Sequence, residues 1–201
     1  MIRVEDIARH PGFRPLSSLP GVAHDLRYAG SHNFAGRVLY ASGLDCAWLR
    51  AEAADGLAAA AAWLAQQRPG WTLLVLDALR PQRVQEAIWA DVAGTPMAEY
   101  FADPGLGSIH SYGMAVDVTL RDAQGRESDM GSGFDEASPL SHPALEAQHL
   151  AQGLLTAAQL AERRWLYAAM AQGGFHGIPN EWWHFNHGDP AAVRREQPRV
   201  Y

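Results

Sequence analysis

Hydrophobic positions recur along the first half of the chain with helical and strand-like periods in turn. Over residues 45–67 the apolar residues fall largely on one helical face, and Pro69-Gly70 ends the pattern, which predicts a helix. Residues 71–78, WTLLVLDA, are a short apolar run typical of a strand buried on both sides. A second helix is predicted from Pro81, which suits a first helical turn, to about residue 92.

The second half of the chain predicts two strands and one capped helix around a long polar loop. Residues 113–120 favour a strand, with a turn into a partner strand near 126–130. Residues 131–155 have little periodicity and are predicted to form the loop. Residues 156–174 begin with a capping box and end at paired glycines, which predicts a helix, and 180–185 follow as a strand.

Strands and helices in this order, without a strict βαβ rhythm, favour an α+β fold in which helices pack on a mostly antiparallel sheet. We find no repeat, no low-complexity tail and no interdomain linker in the sequence. With 201 residues the chain is long enough for one domain with a substantial core. We therefore predict a single domain over residues 1–201.

Composition and charge exclude several classes of protein. Apolar residues make up 48% and charged residues 19%, and the net charge is -6, which disfavours a nucleic-acid partner. The longest apolar run, residues 57–65, is too short to span a membrane, and the N-terminus has no secretory pattern, so a cytoplasmic protein is expected. The single cysteine, Cys46, excludes an intramolecular disulfide and is predicted to be a buried, inert thiol.

The segment HSYGMAVD places a histidine, His110, seven residues before an aspartate, Asp117. Residues seven apart on a strand point to opposite faces, so the two side chains can converge only if the chain turns between them. Gly113 is where such a turn is cheapest, which predicts His110 on a loop and Asp117 on the strand that follows. A carboxylate in an apolar strand is costly unless it is paired or binds a metal.

A third metal ligand is sought among the remaining histidines of the nine in the chain. His184 closes the segment EWWH and is the first candidate, with Glu181 three residues before it. His187 is a rival, although it precedes a turn-like Gly-Asp-Pro and is ranked second. His142 and His149 fall in the polar loop and are expected to be solvated. Two histidines and one aspartate would leave a coordination position open, as a catalytic zinc site requires.

Taken together, the motifs resemble those of the zinc D-alanyl-D-alanine dipeptidases of the VanX type. The pattern S-x-H, G-x-A-x-D and E-x-W-H is met, and DLRYAGSHNFAG, LLVLDALRP and MGSGFD also occur in the family's order, over roughly residues 20–188. The resemblance implies one Zn²⁺ held by His110, Asp117 and His184. It also implies that Glu181 acts as general base, and then as general acid, on the zinc-bound water, and that Arg80 stabilises the tetrahedral intermediate.

The resemblance also implies that Asp135 holds the amine of a small dipeptide and that Ser108 and Tyr28 line the substrate site. The expected reaction is hydrolysis of D-alanyl-D-alanine to two D-alanines. Two alternatives stay open. One is a D,D- or L,D-carboxypeptidase that acts on peptidoglycan stem peptides, against which Asp135 argues. The other is a non-catalytic zinc-binding domain, against which the spare carboxylate of Glu181 argues.

Overall fold

Seven strands form two sheets in the computed structural model, which describes residues 2–201. The larger sheet has five strands in the order β2-β4-β5-β7-β6, and the smaller pairs β1 with β3. Their bounds are Phe13–Pro15 (β1), Val22–His24 (β2), Trp48–Arg50 (β3), Thr72–Asp77 (β4), Ala115–Arg121 (β5), Phe175–Ile178 (β6) and Glu181–His187 (β7).

The larger sheet is mixed, because β2 runs parallel to β4 while the other three pairings are antiparallel. The predicted α+β class with a mostly antiparallel sheet is therefore confirmed. At the centre of the sheet, Asp77 of β4 lies opposite Asp117 of β5, which in turn lies opposite His184 of β7. Polar side chains thus form a row across three neighbouring strands.

Five α-helices lie around these sheets in the described part of the chain, joined by short 3-10 turns. They are Ala51–Gln67 (α1), Gln82–Val92 (α2), Glu146–Ala151 (α3), Ala157–Gln172 (α4) and Pro190–Glu196 (α5). The capping box predicted at the start of α4 is present, since Thr156 and Gln159 exchange side-chain-to-backbone bonds. Helices α1 and α4 cross closely at Gly56 and Gly173, where an added Cβ would clash with backbone.

The first helix is shorter than predicted and begins at Ala51 rather than at residue 45. Residues 48–50 form β3 instead, because they pair in register with β1. Sequence periodicity cannot detect this pairing, since the partner strand is more than thirty residues away. Cys46 is buried just before β3, as predicted, and burial raises the pKa of its thiol.

The segment after β5 differs from the prediction in several respects. Residues 126–130 form no strand, and only an isolated bridge joins Glu127 to Arg121. The expected polar loop 131–155 contains helix α3, and His149 at its end is buried rather than solvated. His142 is partly buried and bonds the Tyr100 hydroxyl at 3.0 Å, so its predicted exposure is also wrong.

The strand predicted at 180–185 is β7, which extends to His187 and forms a hairpin with the unpredicted β6. Buried apolar residues form two clusters, one between the large sheet and helices α1 and α4, the other around α2 and the N-terminal segment. Among residues 2–201, no helix is long and apolar enough to cross a membrane.

Candidate active site

His110 lies on a 3-10 turn, Ile109–Tyr112, that ends at Gly113. Gly113 has a left-handed backbone conformation, with φ of 70°, so the chain turns at the predicted place before entering β5. The Nδ1 atom of His110 lies 2.8 Å from the carbonyl oxygen of Ala78. Because a carbonyl can only accept, Nδ1 carries the hydrogen and Nε2 is left with a lone pair.

Asp117 and His184 face each other across the pairing of β5 and β7. The Oδ1 atom of Asp117 lies 3.0 Å from His184 Nδ1 and 3.3 Å from His110 Nε2. The two ring nitrogens are themselves 3.1 Å apart. The other ring nitrogen of His184, Nε2, donates to Asn186 Oδ1 at 2.9 Å, so the lone pair of Nδ1 also faces the cluster.

These three residues form the one metal-capable cluster found among residues 2–201, with donor atoms within 4.8 Å of one another. Burial raises the pKa of Asp117, whereas positive charge on the His110 and His184 side, from protons or from a metal ion, lowers it below its usual range. The rival ligand His187 is not in this cluster. It lies three residues along β7 from His184, and its ring packs against Phe175 at 5.0 Å.

Glu181 lies beside the cluster without belonging to it. Its Oε2 atom is 3.9 Å from His184 Nδ1, beyond hydrogen-bonding distance, and its side chain is buried. Residues three apart on a regular strand would point to opposite faces. The pairing of β6 with β7 is irregular here, because Gly177 pairs with Phe185 and the next residue, Ile178, with Glu181. This bulge allows Glu181 and His184 to face the same side.

Burial raises the pKa of Glu181 to about 8. The negative charges of Asp117 and Asp135 add to the rise, while His184 and Arg80 oppose it. A cation bound beside a carboxylate favours its ionised form, so a metal at the cluster would bring this pKa down again. A carboxylate so placed can exchange protons near neutral pH.

Arg80 follows β4 and is 6% exposed, so it does not lie at the surface as arginines usually do. Its Nε donates to Asp77 Oδ2 at 2.9 Å, Nη1 to Gln85 Oε1 at 3.0 Å, and Nη2 to Asp117 Oδ2 at 3.4 Å. The guanidinium also lies 4.9 Å from the centre of the Tyr28 ring. Nη2 also lies 2.8 Å from Asp77 Oδ2, so of the five N–H donors of the arginine the one without a protein partner is on Nη1.

Three supporting residues were missed in the sequence. Asp77 lies at the end of the apolar run LLVLD, and Asp117 lies within another apolar run. A carboxylate in a buried strand is the signal that identified Asp117, and the same signal could have identified Asp77. Asn186 lies two residues after His184, on the same face of a strand. No sequence signal distinguishes Gln85 from other polar residues of α2.

Asp135 lies on the loop after β5 and has a left-handed backbone conformation, with φ of 58°, rare for a residue with a side chain. The Tyr28 hydroxyl donates to its Oδ1 at 3.3 Å, and the Phe34 amide approaches Oδ2 at 3.5 Å. Burial raises the pKa of Asp135 to about 8, and nearby Asp117 adds to the rise. Burial also raises the pKa of Tyr28, which keeps the phenol protonated as a donor.

One cavity of about 400 Å³ is lined by all eight side chains predicted from the sequence. Its volume is at the small end of the range of ligand sites, about 300–1,000 Å³. Ser108 is buried in its wall, and its side chain does not cap the 3-10 turn that follows. The cavity therefore combines nitrogen and oxygen donors, a buried spare carboxylate and a second carboxylate that has a phenol partner.

Comparison with known proteins places this geometry in a family. The family model described as D-Ala-D-Ala dipeptidase, peptidase M15, matches residues 12–200. A D-alanyl-D-alanine dipeptidase of Escherichia coli is 39% identical over 166 residues, 83% of this chain and 79% of that protein. A second D-alanyl-D-alanine dipeptidase, of Enterococcus faecium, is 30% identical over 197 residues, which cover 89% of this chain and 88% of that protein.

A solved structure of the LD-carboxypeptidase LdcB is similar in fold, with a TM-score of 0.50 and 16% identity. The aligned region covers 92% of this chain and 72% of the LdcB chain. The resemblance inferred from the sequence motifs is thus confirmed by a family match over nearly the whole chain. The chain belongs to the D-Ala-D-Ala dipeptidase family, M15, and is a metallopeptidase.

Proposed function

We propose that this chain, as a single domain, is a zinc-dependent dipeptidase that hydrolyses D-alanyl-D-alanine to two D-alanines. The observation that carries the proposal is the unpaired, buried carboxylate of Glu181 beside the cluster of His110, Asp117 and His184. A purely structural metal site has no need of such a group. The D-alanyl-D-alanine dipeptidases among its relatives supply the substrate class.

The three clustered residues fit a zinc ion by the chemistry of their donor atoms. The lone pairs of His110 Nε2 and His184 Nδ1 face each other at 3.1 Å beside a carboxylate oxygen of Asp117, an arrangement that repels unless a cation lies between them. Two imidazole nitrogens and one carboxylate oxygen suit zinc and leave a position open. Once bound, the ion would polarise the scissile carbonyl and lower the pKa of the attacking water.

Glu181 is proposed to accept a proton from the attacking water and then to deliver it to the nitrogen of the leaving D-alanine. Its carboxylate has no competing hydrogen bond within residues 2–201 and lines the cavity. The ring of His184 beside it is held by Asn186, so the distance between base and ligand is maintained. These contacts support a general base rather than a fourth ligand.

Arg80 is proposed to stabilise the oxyanion that develops on the scissile carbonyl. Asp77 binds Nε and Gln85 binds Nη1, so the guanidinium is held in place and needs no rearrangement as charge develops. Its contact with Asp117 is the longest of the three, at 3.4 Å, and leaves the Nη2 side of the guanidinium turned towards the cluster.

Asp135 is proposed to pair with the free ammonium of the dipeptide, with Tyr28 holding the carboxylate and Ser108 lining the site. A longer peptide would place a neutral amide against this half-buried acid. The amide forfeits the charge pairing and leaves the carboxylate desolvated without a cation. The same reasoning favours the dipeptidase over the carboxypeptidase alternative.

The test combines metal analysis with hydrolysis assays on D-Ala-D-Ala, L-Ala-L-Ala, N-acetyl-D-Ala-D-Ala and a stem pentapeptide. We expect one zinc per chain and turnover of the free D,D-dipeptide alone. His110→Ala, Asp117→Ala and His184→Ala should each lose the zinc, while the matched control His187→Ala retains it. Faster cleavage of the stem peptide would instead identify a carboxypeptidase, and bound zinc without turnover of any substrate would identify a binding domain.

A further inference from the structure

A zwitterionic dipeptide has two charged ends, and the residues discussed so far provide for only one of them. Four acidic side chains line the cavity: Glu99, Asp117, Asp135 and Glu181. Two arginines line the cavity among residues 2–201, Arg80 and Arg194. An anionic carboxylate entering among four acids needs a cation that is not already neutralised.

Arg80 is a poor candidate for that cation. All three of its nitrogens donate to protein groups, and two of those groups are the carboxylates of Asp77 and Asp117. Its charge is therefore compensated before any ligand arrives. It is also 6% exposed and lies against Tyr28, at the end of the cavity where Asp135 is proposed to hold the amine.

Arg194 has the opposite properties. It lies on helix α5, is exposed, and lines the cavity, as Ser108 does. Its Nε donates to the carbonyl oxygen of Gly107 at 3.0 Å, and no acid among residues 2–201 pairs with its guanidinium. That bond orients the guanidinium and leaves both Nη atoms free to form a bidentate pair with a carboxylate.

The anchor of Arg194 is adjacent in sequence to a residue already proposed to contact substrate. Gly107 immediately precedes Ser108, whose side chain is buried in the cavity wall and does not cap the following turn. Gly107 has a φ of +87°, and an added Cβ there would lie 2.8 Å from the Arg199 guanidinium, which donates to the carbonyl oxygens of Gly105 and Leu106 just before it. Arg194 is thus bonded to the backbone of the residue that precedes Ser108, and both side chains line the same cavity.

We infer that Arg194 is the specificity-determining residue that binds the free C-terminal carboxylate of the substrate, together with Ser108. This inference rests on the proposed dipeptidase function. The ligand it recognises is a carboxylate at the leaving-group end of a short peptide, and the same contact would hold the product D-alanine. Because Arg194 is exposed, the attraction is screened by salt.

The experiment compares D-Ala-D-Ala with its C-terminal amide on the zinc-loaded enzyme. Arg194→Gln should raise KM for the free acid by roughly tenfold or more and leave kcat within about threefold, as loss of uniform binding does. Activity on the amide should stay at the level of the parent enzyme, so discrimination between acid and amide collapses. Arg194→Lys should retain part of this discrimination, because lysine keeps the positive charge but lacks the planar guanidinium that can pair with both carboxylate oxygens.

The matched control is Arg195→Gln, which removes the neighbouring arginine that pairs with Glu196 and does not line the cavity. It should discriminate between acid and amide as the parent does. KM of the parent for the acid should rise with added salt, and that of Arg194→Gln should not.

Two results would overturn the inference while leaving the proposed function in place. One is an equal loss of activity on the acid and on the amide in Arg194→Gln and Arg194→Lys. Arg194 would then have only a structural role, through the hydrogen bond that joins α5 to Gly107. The other is unchanged discrimination in both variants. Failure of the parent enzyme to cleave D-Ala-D-Ala at all would instead refute the proposed function, so the two failures are distinguishable.

Discussion

At the scale of single residues, the proposed chemistry depends on a carboxylate that is buried without a hydrogen-bond partner. Glu181 is 8% exposed, and its Oε2 atom lies 3.9 Å from His184 Nδ1, beyond hydrogen-bonding distance. Burying an acid in this way destabilises the fold, and burial accordingly raises its pKa to about 8. Such a cost is typical of a functional site rather than of a structural one.

Replacing Glu181 with glutamine is the decisive test of that role. Glutamine keeps the shape of the side chain but cannot accept a proton, so Glu181→Gln should lower kcat by roughly 100-fold or more. Zinc content should be unchanged, since Glu181 is outside the ligand cluster. Loss of zinc in this variant would show that Glu181 is a ligand, and turnover at the parent rate would place the base elsewhere.

The sequence predicted the residues of the site better than the contacts that hold them. Each predicted residue belongs to a recognisable motif or has an unusual sequence environment, as Asp117 does in its apolar strand. Gln85 and Asn186 have neither, because their roles arise only when α2 approaches Arg80 and when β7 places Asn186 beside His184. Contacts between distant segments are set by tertiary packing, which a local pattern does not contain.

At the scale of elements, the turn at Gly113 fixes the position of His110. Its amide donates to the His110 carbonyl, and an added Cβ would lie 2.8 Å from Phe13 Cε1 and 3.2 Å from the Arg50 amide. Gly113→Ala should therefore reduce both thermal stability and zinc affinity, because the turn must shift. The φ of 70° alone costs about 1–2 kcal/mol for a residue with a Cβ.

The matched control is Gly125→Ala, in the exposed turn after β5. Gly125 has a similar φ of +81°, but an added Cβ would meet nothing within 4 Å. This variant should lose stability through backbone strain alone and keep the zinc affinity of the parent. Equal zinc affinities in the two variants, measured by competition with a chelator, would show that the Gly113 turn does not position His110.

The loop that carries Asp135 is held by a buried arginine of helix α4. Arg163 is fully buried and donates to the carbonyl oxygens of Met130 and Leu140, one on each side of Asp135. Arg163→Met should leave these acceptors unsatisfied, lower stability by about 3–5 kcal/mol, and raise KM for D-Ala-D-Ala as the loop loosens. Arg164→Met, a change of its exposed neighbour, should affect neither unfolding nor KM.

The elements with strong local patterns were predicted closely, and those defined by long-range pairing were not. The capped helix α4 and the apolar strands β4 and β5 match their predictions because propensity, capping and burial agree there. Strands β3 and β6 escaped prediction because each owes its conformation to a partner, in the case of β3 one far away in sequence. A strand three or four residues long has too few positions to show a period.

At the scale of the whole molecule, the central strands β4, β5 and β7 bring the acids and histidines of the site into one row. The fold thereby holds Asp77, Asp117, Asp135 and Glu181 near one another in low dielectric. Arg80 compensates only part of this charge. The protein without its metal therefore carries an electrostatic cost that should depend on pH.

The sign of that dependence follows from the two raised pKa values. Asp135 and Glu181 each have a pKa of about 8 when folded, against about 4 when unfolded. Between these values the folded chain holds protons that the unfolded chain has released. Their stabilising contribution is full below about pH 4 and is lost as pH rises through 8. The lowered pKa of Asp117 acts in the opposite sense, but only below about pH 4.

We therefore expect the metal-free protein to lose unfolding free energy between pH 5 and pH 8 through these two acids, as measured by urea denaturation. The variant carrying both Asp135→Asn and Glu181→Gln should lose less over the same range, because each amide is neutral throughout. Zinc should raise the stability of the parent at both pH values and flatten its slope, since a bound cation favours the ionised carboxylates. An equal slope in the metal-free parent and the double variant would mean that neither acid is held protonated in the folded chain, and that the sheet does not concentrate negative charge as its geometry implies.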